Sequence, residues 1–349
     1  MGYDAVLRAR HLPQLAPAGP PADLRRLPLR EGPRVSEPDT LGEAVRRGFT
    51  ADPKRVNSRW LYDDRGSRLF EEITELPEYY LTDCEREIFR EHADDVVDRC
   101  PPGTELVELG AGSAEKTRHL LSALKRRQGS TTYGPIDISR EALDMAVQRF
   151  ADDDAIEVHP IEASFTEGLA KLGHDPATPR LIAFIGSSIG NMTPEAQRSL
   201  LREVRRHLGE EDRFLLGTDL RKDEAPMLSA YDDSQGVTAE FTLNLLRRVN
   251  RELDAEFDLG AFEHVVRFDE EKSAIESYLE SQRDQTIAID AIDLTVTFDE
   301  GERIHVEDAY KYTDEMLAAL FADTGLERRA SWIDEDGWFA VHLLAADER

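Results

Sequence analysis

Hydrophobic positions in the middle of the chain alternate between short continuous runs and longer runs with helical spacing. Five short segments predict strands, at residues 105–109, around 136, and at 156–160, 181–185 and 214–217. Segments with helical spacing follow the first four, at residues 114–126, 140–150, shortly after 160, and 194–208. Strands that alternate with helices indicate βαβ units. The pattern therefore predicts an α/β fold with an open, doubly wound, mostly parallel sheet.

Two helices are predicted before this sheet. Apolar side chains at positions 69, 70, 73 and 76 fall on one face of a helix that begins near Ser67 and ends before Pro77. A second helix is predicted over residues 85–98. The first 38 residues hold seven of the 17 prolines and predict a partly ordered arm. This arm has neither the apolar segment of a signal peptide nor a myristoylation consensus.

The alternation ends after Lys222. A long helix is predicted over 238–253, followed by strand-like runs at 264–268, 273–279, 286–289 and 294–298. A helix over 313–321 then precedes two β-rich stretches, 328–333 and 338–344, which predict an antiparallel hairpin that closes the sheet. We therefore expect three parts: an arm (1–38), a sheet domain (39–221 with 313–349), and an inserted mixed α+β substrate domain (222–312), to which the helical segment 85–104 is joined.

Charge and composition exclude several classes of function. The chain has 43 basic and 71 acidic residues, a net charge of −28, and so repels the phosphate backbone of nucleic acids. Such a surface is also typical of salt-adapted proteins. No apolar run could span a bilayer, which predicts no membrane contact. Cys84 and Cys100 form no CxxC pair, and no paired histidine spacing suggests a metal. We expect free thiols, no metal site and a cytoplasmic protein.

The segment from Glu108 to Glu115, ELGAGSAE, lies between the first strand and its helix. Small residues there let a cofactor approach the backbone, and Asp137 at the end of the second strand could accept hydrogen bonds from ribose hydroxyls. The dinucleotide fingerprint requires a third glycine where Glu115 stands, and an acid there would oppose a pyrophosphate. This disfavours an NAD-dependent dehydrogenase. The loop resembles instead the S-adenosylmethionine loop of class I methyltransferases.

Four segments together resemble one family, the histidine Nα-methyltransferases of ergothioneine biosynthesis. They are LYDDRGSRLFEEITELPEYY, ELGAGSAEKT, GSSIGN and GTDLRKD. The resemblance extends from Leu41 to the end of the chain. It implies a class I methyltransferase, Rossmann-like, doubly wound sheet with an antiparallel terminal hairpin. It also implies an enzyme that uses S-adenosyl-L-methionine to trimethylate the α-amine of a small molecule, L-histidine, to hercynine. We expect a monomer.

The resemblance also implies roles for individual residues. The cofactor residues are Gly110, Lys116, Asp137, Ser164 and Phe165. On the substrate side, Tyr62 lies at the reacting amine as the catalytic residue, Tyr79 lies beside the imidazole, and Asn191 and Tyr231 hold the carboxylate. Thr238, Glu307 and Ala309 complete the substrate pocket. Because the reference pKa of tyrosine is about 10, we expect Tyr62 to orient the amine rather than act as a strong base.

Three positions depart from the family pattern. Ser164 stands where the family usually has an aspartate beside the adenine. Ala309 replaces a serine that hydrogen-bonds the imidazole, a loss typically worth about 0.5–1.5 kcal/mol. Ser277 replaces a larger apolar side chain. These changes leave open another substrate, such as tryptophan or a modified histidine, and a non-catalytic sensor of the cofactor or amino acid.

Other residues of these segments receive structural interpretations. The spacing of Trp60, Phe70 and Tyr80 favours core positions. Acidic residues that follow the fifth strand, Asp219, Asp232 and Asp233, are expected to be helix caps or solvated surface.

Overall fold

The computed structural model of the chain describes residues 40–112, 114–172 and 178–347. The predicted arm, residues 1–38, lies outside them. The strands are β1 Glu105–Leu109, β2 Thr131–Asp137, β3 Ile156–Val158, β4 Ile161–Glu162, β5 Arg180–Phe184, β6 Arg213–Asp219, β7 Phe262–Asp269, β8 Ala274–Ser281, β9 Gln285–Ile289, β10 Leu294–Phe298, β11 Arg303–Tyr310, β12 Leu326–Ile333 and β13 Phe339–Ala346. The α-helices are α1 Leu41–Phe49, α2 Asp64–Thr74, α3 Tyr80–Asp98, α4 Thr117–Gln128, α5 Arg140–Phe150, α6 Phe165–Lys171, α7 Pro194–His207, α8 Glu224–Ser229, α9 Val237–Leu253 and α10 Asp314–Thr324.

Eight strands form the central sheet, in the order β12-β13-β6-β5-β1-β2-β3, and β4 also pairs with β2. The pairs among β1 to β6 are parallel. The last strand, β13, runs antiparallel to both β6 and β12. The predicted doubly wound sheet with a terminal antiparallel hairpin is confirmed.

Apolar side chains cover both faces of the sheet. Along β5, Leu181 and Ala183 join the cluster that contains residues of α3 and α4, whereas Ile182 and Phe184 join the cluster that contains residues of α7 and α10. Side chains alternate across a strand, so a strand buried on both faces is apolar at every position. This is why a continuous apolar run predicted β5 to within one residue.

The segment after β6 forms two further sheets. Strands β7, β8 and β11 form an antiparallel sheet in the order β11-β8-β7, and β9 pairs with β10. Strand β11 and helix α8 were not predicted from the sequence. Strand β11 carries charged residues between its buried positions and has a register shift between His305 and Glu307. The division into a sheet domain and an inserted substrate domain remains a prediction.

Three helix starts differ from the sequence prediction, and α2 begins at Asp64 instead of near Ser67. Helix α3 begins at Tyr80 instead of residue 85, and α4 begins at Thr117 instead of 114. The later start of α4 follows from the loop before it. Gly112 and Ala114 have φ angles of 49° and 52°, in the left-handed region that a helix cannot include.

Candidate active site at the carboxyl ends of the parallel strands

The glycine loop after β1 leaves open space at the carboxyl edge of the sheet. A Cβ built on Gly112 would meet no atom within 4 Å, and one on Gly110 would lie 3.6 Å from the Phe165 ring. Glu108, in the strand before the loop, is buried and accepts hydrogen bonds from the Thr117 hydroxyl at 2.7 and 2.8 Å. Glu108 therefore ties the end of β1 to the start of α4 and fixes the loop between them.

Asp137 lies across this loop, at the end of β2. Its Oδ2 accepts from the Gly112 backbone N–H at 3.4 Å, and its Oδ1 accepts from the Ser139 N–H at 2.9 Å. Burial raises the pKa of Asp137 against these backbone hydrogen bonds, so the carboxylate has few water partners. The two ribose hydroxyls of a bound cofactor would donate hydrogen bonds to this carboxylate in place of water. The open loop, the carboxylate and the Phe165 ring fit the adenosine part of S-adenosylmethionine.

Ser164 and Lys116 are engaged with protein partners in this structure. The Ser164 hydroxyl donates to Glu167 Oε2 at 2.9 Å, as part of a capping box that begins α6. Lys116 Nζ donates to the carboxylate of Glu85, a wholly buried residue of α3. That carboxylate also accepts from the Gly186 N–H at 2.8 and 3.0 Å. Glu85 therefore joins the cofactor loop to the end of β5.

Sequence reasoning missed Glu85, although a signal was present. Leu81, Glu85 and Ile88 have helical i, i+4, i+7 spacing and are all buried. An acid on the apolar face of a predicted helix requires a buried partner, because an unpaired buried carboxylate is costly.

Five aromatic rings from different helices and loops lie close together: Tyr62, Phe70, Tyr79, Tyr231 and Phe241. Tyr62 follows a short 3₁₀ helix, Ser58–Leu61, and Tyr79 directly precedes α3. Neighbouring ring centroids are 5.2 to 6.4 Å apart, in edge-to-face arrangements, for the pairs Tyr62–Phe241, Tyr62–Phe70, Phe70–Tyr79 and Tyr79–Tyr231. These are favourable geometries for aromatic pairs. The predicted Tyr62, Tyr79 and Tyr231 thus belong to one aromatic cluster, which also contains Phe70, predicted as core.

Glu307 acts electrostatically on all three tyrosines. Burial, and to a lesser extent its charge, contribute to the raised pKa of Tyr62, Tyr79 and Tyr231. Burial raises the pKa of Glu307 to about 7, against the opposing effects of Lys311 and of a hydrogen bond with Ser58. The site therefore holds a carboxyl group that changes charge near neutral pH.

Tyr62 is not a base at neutral pH. The residue keeps 36% of its surface exposed. Its hydroxyl nevertheless lies in protein surroundings, and this burial, followed by the charge of Glu307, raises its pKa well above the ordinary value. The group stays protonated and can only donate or accept hydrogen bonds. This agrees with an orienting role.

The two faces of the β8–β11 pair carry different chemistry. Glu307 pairs in register with Ser277 and lies two residues from Ala309, so these three share one face. Ser277 and Ala309 are 3% and 2% exposed. Two small side chains therefore lie beside Glu307 on this face, where Ile275 pairs with Ala309.

Glu276, His305 and Asp308 offer ligand atoms within 4.8 Å of one another, away from this face. Hydrogen bonds from Lys272, Tyr278 and Arg267 outweigh burial and lower the pKa of Glu276 to about 2. Because this carboxylate already has cationic partners, the cluster is a charge network.

The predicted substrate residues Asn191 and Thr238 lie on separate elements. Asn191 ends the 3₁₀ helix Ser188–Asn191 after β5. A Cβ on Gly190 would lie 3.1 Å from the Tyr310 carbonyl oxygen, so glycine lets this helix lie against β11. Thr238 lies in the first turn of α9, one turn before Phe241, and its N–H donates to Asp233 Oδ1 at 2.7 Å. Asp233 is a cap, as predicted.

The prediction for Asp219 is wrong. This residue, at the end of β6, is fully buried instead of capping a helix or facing solvent. Its carboxylate accepts from the Tyr80 hydroxyl at 2.8 and 2.9 Å, from Lys311 Nζ at 2.7 Å, and from Lys222 Nζ. Two buried lysines compensate its charge, which makes burial possible. Lys311 Nζ also donates to the Tyr231 hydroxyl at 2.9 Å. No role was predicted for Lys311 from the sequence.

Comparison with known proteins identifies the family. A family model described as "Histidine-specific methyltransferase, SAM-dependent" matches residues 41–346. The chain belongs to this family. The histidine N-alpha-methyltransferase of Mycobacterium tuberculosis (strain CDC 1551 / Oshkosh) is 40% identical over 324 residues, which cover 89% of this chain and 99% of that protein. The protein of the same name from Mycolicibacterium smegmatis is 40% identical, covering 87% and 96%. Ergothioneine biosynthesis protein 1 of Neurospora crassa is 30% identical over 84% of this chain, which matches 33% of that protein's length.

These matches confirm the family predicted from the four motifs, and with it an S-adenosylmethionine-dependent enzyme. In the part of the chain that the structure describes, no helix is long and apolar enough to cross a membrane. The roles of the individual site residues remain predictions, which the geometry above makes testable.

Proposed function

We propose that this protein is an S-adenosyl-L-methionine-dependent N-methyltransferase that converts L-histidine to its α-N-trimethyl betaine, hercynine, in ergothioneine biosynthesis. The observation that carries the proposal is the cluster of Tyr62, Tyr79 and Tyr231, all acted on by the charge of Glu307, together with a glycine loop faced by Asp137. We further propose that it acts as a cytoplasmic monomer. We also propose that it binds no nucleic acid, because a net charge of −28 repels phosphate backbones.

The pocket would hold each part of the amino acid by its chemistry. Glu307 would accept a hydrogen bond from an imidazole N–H, with Tyr79 beside the ring. Asn191 and the Tyr231 hydroxyl would donate to the carboxylate. Tyr62 would orient the α-amine, whose pKa of about 8 in peptides means that a proton must leave before it reacts. Thr238 would close the pocket from α9.

S-adenosylmethionine, when bound, supplies a methyl group on a cationic sulfur. The protein's contribution is to hold the amine in line with that methyl, and such positioning can supply up to about 11 kcal/mol in model systems. As methyl groups accumulate, the nitrogen becomes a permanent cation. The faces of Tyr62, Phe70 and Phe241 would stabilise it. After three transfers no lone pair remains, so the reaction ends at the trimethylated product.

The decisive experiment is mass spectrometry of methyl transfer to each of the twenty amino acids, at low and at molar salt. We expect histidine to gain one, two and then three methyl groups. An Asp137→Ala variant, which removes the proposed ribose contact, serves as the matched control and should lose transfer. Transfer to a different amino acid would overturn the substrate. Binding of S-adenosylhomocysteine without transfer to any amino acid would overturn the enzyme and favour a sensor.

A second substrate class is favoured by one observation, the pair of small buried residues Ser277 and Ala309 beside Glu307. Side chains this small would take up less of the substrate site than the larger residues of the family pattern, which supports a substrate side chain larger than imidazole. Tryptophan and ring-modified histidines are therefore the first compounds to compare with histidine in the same assay.

A further inference from the structure

The Asp219 carboxylate lies at the centre of two matched arrangements of lysine and tyrosine. Lys222 Nζ donates to Asp219 Oδ1 and, at 2.7 Å, to the Tyr80 hydroxyl. Lys311 Nζ donates to Asp219 Oδ2 at 2.7 Å and to the Tyr231 hydroxyl at 2.9 Å. Both lysine side chains are at least nine-tenths buried, with 5% and 1% exposed. The two halves differ in what their tyrosine does.

A lysine ammonium has only donors, so each tyrosine oxygen must accept from its lysine. Tyr80 then donates its own proton to Asp219. For Tyr231, the described residues provide no acceptor within hydrogen-bond distance of its hydroxyl. The proton of Tyr231 is therefore available to a group in the pocket.

From this geometry we propose that Lys311 is a positioning residue for the substrate's carboxylate. By occupying the oxygen of Tyr231 it fixes the direction of that hydroxyl as a donor into the pocket. Its positive charge, one of two beside Asp219 and one that also acts on Glu307, favours an anion at the same place. The inference rests on the proposed function, because it requires an amino-acid substrate whose carboxylate lies at Tyr231.

The test compares histidine with histamine, which has the same imidazole and amine but no carboxylate. Affinities are measured by calorimetry for histidine, and by competition for histamine, in protein saturated with S-adenosylhomocysteine. Hydrogen bonds to charged groups are the strong ones. We therefore expect Lys311→Met to reduce the histidine-to-histamine affinity ratio roughly tenfold or more. Lys222→Met is the matched control, since it removes the other buried lysine but leaves Tyr231 and Lys311 in place, and should change the ratio less than about threefold.

A double-mutant cycle isolates the action through Tyr231. Tyr231→Phe alone should lower the same ratio, and adding Lys311→Met should lower it little further. Equal effects of Lys311→Met on both ligands, or equal losses of the ratio in Lys311→Met and Lys222→Met, would overturn the proposal. If Lys311→Met does not fold, Lys311→Arg retains the charge. A ratio in Lys311→Arg below that of the unmodified protein supports fixed hydroxyl geometry, and an unchanged ratio overturns it. Failure of the unmodified protein to methylate histidine would refute the proposed function separately.

Discussion

Replacing Glu307 by glutamine should make the stability of the protein less sensitive to pH. The perturbation removes the charge and keeps the size of the side chain and its ability to hydrogen-bond Ser58. Burial raises the pKa of Glu307 from its ordinary 4.5 to about 7. A raised pKa means that the folded state binds the proton more tightly than the unfolded state. The stability from this group is therefore fully present below about pH 4.5 and is lost as the pH rises through 7.

The magnitude follows from that difference. At about 1.36 kcal/mol per pH unit, the unmodified protein loses at most about 3 kcal/mol from this group, and roughly 1–3 kcal/mol after allowing for its partial exposure. Glutamine does not titrate. The free energy of unfolding of Glu307→Gln should therefore rise relative to that of the unmodified protein by this amount between pH 5 and pH 8. Other buried carboxyl groups, such as Glu108, are present in both proteins and cancel.

Urea denaturation of the ligand-free protein at pH 5, 6, 7 and 8 gives the measurement. Glu300→Gln, which neutralises an exposed carboxylate, is the control and should leave the two pH curves parallel. A difference between Glu307→Gln and the unmodified protein that stays constant across this range, or shrinks as pH rises, would contradict the assigned burial of the carboxyl group.

Three further predictions concern the cofactor loop, the imidazole wall and the first helix of the site. Asp137→Ala should weaken S-adenosylhomocysteine binding by about 2–4 kcal/mol, because hydrogen bonds to a charged acceptor are lost. Calorimetry measures this affinity. An unchanged affinity would refute the proposal that Asp137 binds the ribose hydroxyls. Ala309→Ser should lower the KM for histidine about two- to twelvefold, because it restores one hydrogen bond worth about 0.5–1.5 kcal/mol. Ala309→Val is the control for side-chain size. An equal or higher KM for the serine variant would contradict this prediction. Gly66→Ala should destabilise the protein by about 3 kcal/mol or more, because a Cβ would lie 1.7 Å from the Leu61 carbonyl oxygen. Thermal unfolding measures this loss. An unchanged stability of the variant would argue against this contact.

The sequence predicted the elements whose residues are buried on both faces. The strands around Ile182 and Leu215 contain continuous apolar runs, which are too short for ordinary helices. Strand β11 has buried residues only at intervals, among charged ones, and its register shift breaks the alternation further. No periodicity could therefore reveal the strand that carries Glu307 and Ala309.

The site was predicted in part, for a related physical reason. Loop glycines and the acid after β2 are local features, and motifs show them. Asp219 was misjudged because aspartates are mostly exposed, and its burial depends on Lys311, 92 residues away in sequence. Glu85 likewise acquires its meaning from Gly186, 101 residues away. Long-range charge pairs leave little trace in a single sequence.

The antiparallel strand β13 affects how the protein folds while it is being synthesised. Strand β6, which ends at Asp219, has β5 on one side and β13 on the other. Every residue between Asp219 and Phe339 must leave the ribosome before that second neighbour exists. Until then β6 is an edge, a surface that can pair with other chains. A nascent chain would therefore acquire its cofactor loop early and its substrate side late. The nascent chain would be most prone to aggregation after the cofactor loop has formed and before the substrate side has formed.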